Sequence, residues 1–238
     1  MFTKNQLEEL IAFHGHLCPG LAMGIRASEI ALREVGRRSE DEEIYAVIET
    51  DQCAVDAIQF LVGCTVGRGM LIHHDYGKNA YSFYRPRDGK SFRIISKPDA
   101  AGTLSLEHQQ LWLKQRAKTL TPSENKRFWE LQNARARIIL SLPLEDVYSF
   151  TQATPLEPRL PRTGAFVTCE NCFEKVMETR IQHTNGRLLC RTCAQWLEQF
   201  TFDVSAEEMT EGGAFKREVM TGSFQPTSDV DYCDPTND

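Results

Sequence analysis

The chain has 238 residues, 41% of them hydrophobic and 25% charged, and a formal charge of -6 at pH 7. It is long enough to bury one full core plus a small appendage, or two modest domains. That acidic balance excludes bulk attraction for nucleic acid or an anionic membrane. No apolar run has membrane-spanning length, and MFTKNQLEELIAFHG puts acidic side chains where a signal peptide needs an apolar segment, so a cytoplasmic protein without a membrane partner is expected.

Leu7, Leu10, Ile11 and Phe13 recur at roughly helical spacing and predict a short amphipathic helix from Lys4 to Phe13, ended by Gly15. A second helix is expected from Pro19 through Ile25, Ile30 and Leu32 to Gly36. Proline suits its first turn because the missing N–H would have no partner there, and Cys18 becomes the N-cap. EIYAVIE, 43–49, is rich in β-branched and aromatic residues and predicts a strand leading into Cys53. Val55, Ile58, Phe60, Leu61 and Val62 predict the next helix, which stops in the glycine-punctuated CTVGRG of 64–69. Strands over about 79–84 and 91–95 pair through the turn residues Arg87-Asp88-Gly89-Lys90. Helical periodicity returns over about 105–118 and 123–140, with Pro122 and Ser123 marking the second start. Pro143 breaks that helix and a short strand is expected over 147–152.

Prolines 155, 158 and 161 then predict a stiff connector over 154–165, separating a core domain, 1–153, from a small domain over 166–200. The remainder, 201–238, is polar and acidic and is expected to be disordered.

Four of the eight cysteines form two pairs, Cys169-Glu170-Asn171-Cys172 and Cys190-Arg191-Thr192-Cys193, separated by 17 residues. That spacing lets two knuckles converge on one tetrahedral zinc, and the cytosolic context favours thiolate ligation over disulfides. So short a segment has too little apolar surface to fold without such a staple. Lys175 to His183 and the Asn185-Gly186 turn before Arg187-Leu188-Leu189 predict a hairpin, and AQWLEQF, 194–200, a helix; the order resembles a treble-clef finger. Four thiolate ligands leave no open position, so this zinc is expected to be structural.

HGHLCPG, 14–20, gathers two histidines and a cysteine into five residues. At a helix N-cap, Cys18 would face unpaired N–H groups and the positive end of the helix dipole, which favour a reactive thiolate. His16, two residues earlier in a glycine-flanked turn, can share a cation with it, and Cys53, between a strand and a helix, is the expected third ligand. Such a His-Cys-Cys set leaves one position for water or substrate, and makes Cys18 and His16 candidate catalytic residues around zinc or iron. Asp56 follows Cys53 by one helical turn and is expected to hydrogen-bond a ligand or act on bound water. His14 is either a ligand, a helix cap or a partner that orients His16. Cys64 would lie about 16 Å along the helix from Cys53 and cannot share its ion.

FHGHLCPGLAMGIRAS at 13–28, CAVDAIQFLVGCTVGRGM at 53–70 and DYGKNAYSF at 75–83 together resemble the E-subunit family of formylmethanofuran dehydrogenase, some members of which also carry a C-terminal treble-clef finger. The resemblance implies an α+β core with a mixed, thioredoxin-like sheet and a site able to hold zinc. Where family members typically read glycine-lysine-glycine after the GCT block, this chain has Gly67-Arg68-Gly69, which keeps the positive charge. Arg68 and Lys78 are then candidates to hold an anionic substrate or cofactor group. The functions to expect are a metal-dependent enzyme or enzyme subunit acting on a small molecule, or an accessory factor that delivers metal or a molybdenum or tungsten cofactor. The implied partners are a second copy of the chain, in a homodimer, or molybdenum or tungsten dehydrogenase subunits. A nucleic-acid reader ranks last, because AQWLEQF lacks arginine and lysine.

Overall fold

The computed structural model describes residues 2–36, 43–98, 100, 102–151, 153 and 164–201. The chain divides into two compact units, residues 1–162 and 163–238. Most of the connector expected over 154–165 and nearly all of the tail expected over 201–238 lie outside the described residues.

In the first unit, helix α1, Lys4–His14, opens with a reciprocal capping box between Thr3 and Gln6 and ends at Gly15, whose left-handed φ of 93° suits glycine. Helix α2, Pro19–Val35, follows at once, with Pro19 in its first turn and Cys18 as N-cap. It lies between two apolar clusters. Ala22, Ala27, Ile30, Ala31 and Val35 pack toward the sheet residues Ala46, Ile48, Tyr81, Phe83 and Ile94, while Leu21 and Ile25 meet Leu10 of α1 and Ala57.

The sheet contains β1 (Tyr45–Ile48), β2 (Leu71–His73), β3 (Ala80–Arg85), β4 (Lys90–Ser96) and β5 (Tyr148–Thr151), in the order β2-β1-β3-β4-β5. Among the described strands only β1 and β2 run parallel, so the sheet is mixed and the fold class is α+β. β1 alternates half-buried and buried residues, as a strand with one core face requires. Strand β2 is not legible in the sequence: three residues, one of them buried, carry too little periodicity.

Between β1 and β2, helix α3, Ala54–Ala57, passes into a π-helical turn, Ile58–Val62, and stops at Gly63 with φ 82°. The helix expected over 55–62 is thus half α and half π. Helices α4 (Leu106–Arg116) and α5 (Pro122–Ser141) form an antiparallel pair, α4 capped by the Ser105 hydroxyl and α5 by a Thr121–Glu124 capping box. Ala136 and Ile139 of α5 join the core that α2 lines. A short helix that the sequence pattern does not predict, α6 (Leu144–Val147), leads into β5, where the Tyr148 hydroxyl donates to the Met23 carbonyl of α2 at 3.0 Å.

Among its described residues the second unit holds two small hairpins and a helix. Strand β6 (Phe166–Thr168) pairs with β7 (Lys175–Met177), a 3-10 turn spans Glu178–Arg180, and β8 (Gln182–Thr184) pairs with β9 (Arg187–Leu189). Asn185 and Gly186 both take positive φ, 51° and 75°, as the tight turn of that hairpin requires. The long first strand expected from Lys175 to His183 is divided between the two hairpins. Helix α7, Arg191–Thr201, starts three residues earlier than the sequence predicts and includes Cys193 in its first turn.

Candidate metal centre and its cleft

Three segments converge beyond the C-terminal end of β1. The end of α1 and the α1–α2 turn carry His14, His16 and Cys18, α2 begins there, and the loop after β1 brings Cys53 at the head of α3, with Asp56 inside that helix. Cys18 is buried at the α2 N-cap with extended backbone, and its Sγ accepts the Leu21 N–H at 3.3 Å. One donor atom each from His14, His16 and Cys18 lie within 4.8 Å of one another. A tetrahedral ion with bonds of about 2.0–2.3 Å sets its ligands about 3.5 Å apart, so side-chain adjustments of about 1 Å would close the trio on a cation.

The electrostatics prepare these donors. His14 Nδ1 donates to the Asp56 carboxylate at 2.7 Å, which leaves Nε2 to face Cys18 Sγ at 3.9 Å. Burial and the neighbouring His14 lower the pKa of His16, which favours the neutral imidazole that ligates metals. The Cys53 thiol donates to Cys18 and, with help from the Leu21 and Gly20 N–H groups and against burial, holds the Cys18 thiol down to about 7. Cys53 shifts the opposite way, raised by that same hydrogen bond, by burial and by the charge on Cys18.

Gly20 permits this approach. A Cβ there would stand 3.0 Å from Cys53 Cβ, 3.6 Å from its Sγ and 3.9 Å from Cys18 Sγ. In metal-stripped protein, alkylation of Cys18 by iodoacetamide should rise as pH increases through about 7, because the lowered pKa populates the thiolate above that value. Mapping the modified peptide by mass spectrometry checks this, and Cys53→Ser should move the curve toward that of an ordinary thiol.

The predicted residues sort clearly in space. Asp56 reaches His14, and Cys53 reaches Cys18 without joining the trio. Cys64 is buried in the core and its thiol donates to the Ile44 carbonyl at 3.0 Å, away from the centre. Neither Arg68 nor Lys78 lines the cleft. Lys78 stands 5.8 Å over the Tyr76 ring, and the Arg68 N–H donates to the Thr65 hydroxyl in an exposed turn. The basic side chain that does line the cleft is Arg135 of α5.

That cleft has a volume of about 720 Å³, and α4 and α5 complete it with Trp112, Phe128, Trp129, Gln132 and Arg135. In the sequence these helices stand out only by their charge. The available signal is weak: Phe128, Gln132 and Arg135 share one helix face, a pattern that ordinary packing also produces.

In the second unit, the Sγ atoms of Cys169, Cys172, Cys190 and Cys193 also lie within 4.8 Å of one another. The Cys190 N–H donates to Cys169 Sγ at 3.2 Å and the Cys193 N–H to Cys190 Sγ at 3.4 Å. These amide contacts favour thiolates, and against the effect of burial the Cys169 thiol falls to about 6 under the N–H groups of Cys172, Cys190 and Asn171. Four soft donors at one point fit a tetrahedral metal ion.

Among curated proteins, the chain is 33% identical to a probable S-adenosyl-L-methionine-binding protein of Archaeoglobus fulgidus, over 76% of this chain and 50% of that protein. It therefore spans about half the length of that relative. Among solved structures, it is similar to a tungsten formylmethanofuran dehydrogenase FmdE-like protein from Syntrophus aciditrophicus, at 24% identity and a TM-score of 0.48, covering 80% of this chain and 90% of the other. The family model described as FmdE, molybdenum formylmethanofuran dehydrogenase operon, matches residues 13–149, a span that contains every core donor described above, and the chain belongs to that family.

Proposed function

We propose that the first unit is a metal-dependent small-molecule site, with zinc or iron held by His14, His16 and Cys18 and a substrate or cofactor bound in the adjoining cleft. The observation that carries this reading is the His14 ring, pinned by Asp56 on one nitrogen while the other faces the Cys18 sulfur. Three protein ligands leave a coordination position open, through which a bound cation would polarise a substrate heteroatom. Asp56 sets the His14 tautomer, Cys53 favours the Cys18 thiolate, and the aromatic side of the cleft limits water. The name of the Archaeoglobus relative supports small-molecule binding, here by analogy. In the second unit the four cysteines hold a structural zinc in a treble-clef arrangement.

Cobalt substitution tests the core reading. With the finger loaded with zinc, cobalt in the core site should give a thiolate charge-transfer band that disappears in Cys18→Ser, and Asp56→Asn should weaken metal binding by about 10- to 100-fold. A small thiol should shift the band by occupying the open position. A second reading, with Cys53 as a direct ligand, follows from its contact with Cys18, and a band that halves in Cys53→Ser would select it. A band unaffected by Cys18→Ser contradicts both. The family description also raises an accessory role in delivering metal or a molybdenum or tungsten cofactor, which rapid exchange of the core metal with a chelator would favour.

A further inference from the structure

The cleft has a side that metal binding does not use. A chain of rings runs outward from the donors: His14 to His16 with centroids 4.7 Å apart, His16 to Trp129 at 4.9 Å, Trp129 to Phe128 at 5.4 Å and Phe128 to Trp112 at 5.9 Å. Phe128 is buried at the back of this chain, but Trp112 remains 44% exposed and Trp129 half-buried, so indole surface is left facing the cleft. Aromatic faces at a concave site are platforms for another π-system.

One helical turn and two turns beyond Phe128, Gln132 and Arg135 line the same cleft. Arg135 is the one lysine or arginine among the described cleft residues. It is half-buried, and one of its N–H groups donates to the Gly102 carbonyl at 3.1 Å. Desolvation lowers its pKa from a very high starting value, yet a guanidinium keeps its charge. A charge held partly out of water is stabilised by an anion brought beside it. The acidic groups of the cleft, Asp51 and Asp56, come from the loop after β1 and from α3, and Asp56 is engaged by His14.

We propose that the α4–α5 side of the cleft selects a planar conjugated ring bearing an acidic group, with the ring stacked on Trp112 and Trp129 and the acid paired with Arg135. This deepens the small-molecule reading of the same site and rests on it. An aliphatic acid would keep apolar contact with the indole faces but forgo stacking on them. A neutral ring would forgo the ion pair with the guanidinium, and a cation would be repelled by it. The cleft volume of about 720 Å³ lies within the roughly 300–1,000 Å³ typical of small-molecule sites and leaves room for both a ring system and its acid.

The test is calorimetric titration of the full, metal-loaded chain with three matched probes: 2-naphthoate, its saturated counterpart decahydro-2-naphthoate, and the uncharged 2-naphthamide. Naphthoate should bind about tenfold more tightly than either of the others, the margin expected for one stacking contact or one charge-assisted pair. Arg135→Gln should erase the preference over the amide alone. Trp112→Leu, at an exposed position that leaves folding intact, and Trp129→Leu should erase the preference over the saturated acid alone. No binding of naphthoate, or equal binding of all three probes, would overturn the proposal. So would an Arg135→Gln chain that still prefers the acid. Metal content measured on the same samples separates the two readings: retained metal with lost selectivity sinks the ligand class only, whereas selectivity without metal sinks the metal centre.

Discussion

Gly24→Ala is expected to destabilise the first unit by about 3 kcal/mol or more, the upper range for overpacking a filled core. A Cβ at Gly24 would lie 2.6 Å from Ala54 Cα and 2.8 Å from its carbonyl carbon, with the carbonyl oxygen nearer still. Real Cβ atoms do not approach backbone so closely, and neither helix can yield alone. α2 is pinned to the sheet through Ile30 and Val35, and Ser28 one turn on donates to the Gly24 and Ala57 carbonyls at 2.8 and 3.3 Å. Because Ala54 follows Cys53, the same displacement would separate Cys53 from Cys18, so core metal binding should fall together with stability. Gly67→Ala is the control: a Cβ there meets nothing within 4 Å, and the change should stay within about 0.5 kcal/mol. Urea unfolding followed by far-UV circular dichroism checks both. A Gly24→Ala chain as stable as the parent would mean that α2 and α3 do not pack as described.

Cys169→Ser is expected to unfold the second unit outright while sparing the first. Among the described residues the buried apolar core of that unit consists of Cys169, Leu189 and Ala194, with the other three cysteines, Val176 and Leu197 packed around it. Such a core contributes only a few kcal/mol on its own. A structural zinc is worth about 10–16 kcal/mol of apparent binding energy in small fingers, far more than the apolar contacts, so removing one ligand removes the main source of stability. Limited proteolysis should then cut inside 166–200 while the helices and the five-stranded sheet of the first unit resist, and zinc content should fall by one ion per chain. A Cys169→Ser chain that retains a protease-resistant second unit would show that the hairpins and α7 stand without the metal.

The parts of this molecule legible in the sequence are those encoded over short distances. Gly15 and Pro19 bracket the turn that holds His16 and Cys18, with His14 ending α1 just before it, and both act on their immediate neighbours. The Asn185-Gly186 turn and the two Cys-x-x-Cys knuckles are likewise local. What the sequence leaves hidden depends on contacts between distant segments. His14 is one of several options there because its partner, Asp56, lies 42 residues away, and only the fold brings the two to 2.7 Å. Arg68 and Lys78 carry the right charge in glycine-rich loops, but those loops turn to solvent, and Arg135, inside an apparently ordinary charged helix, lines the cleft instead. Strand β2 is too short to show a period.

The most direct measurement is the number of metal ions bound per chain, by inductively coupled plasma mass spectrometry on protein purified under reducing conditions. The two donor clusters predict two ions in the parent chain and one in a His14→Ala/Cys18→Ser chain that keeps the parent circular dichroism spectrum. A parent chain that binds only one ion, with that ion lost in Cys169→Ser, would contradict the core metal centre and leave Cys18 as a reactive thiolate beside Cys53.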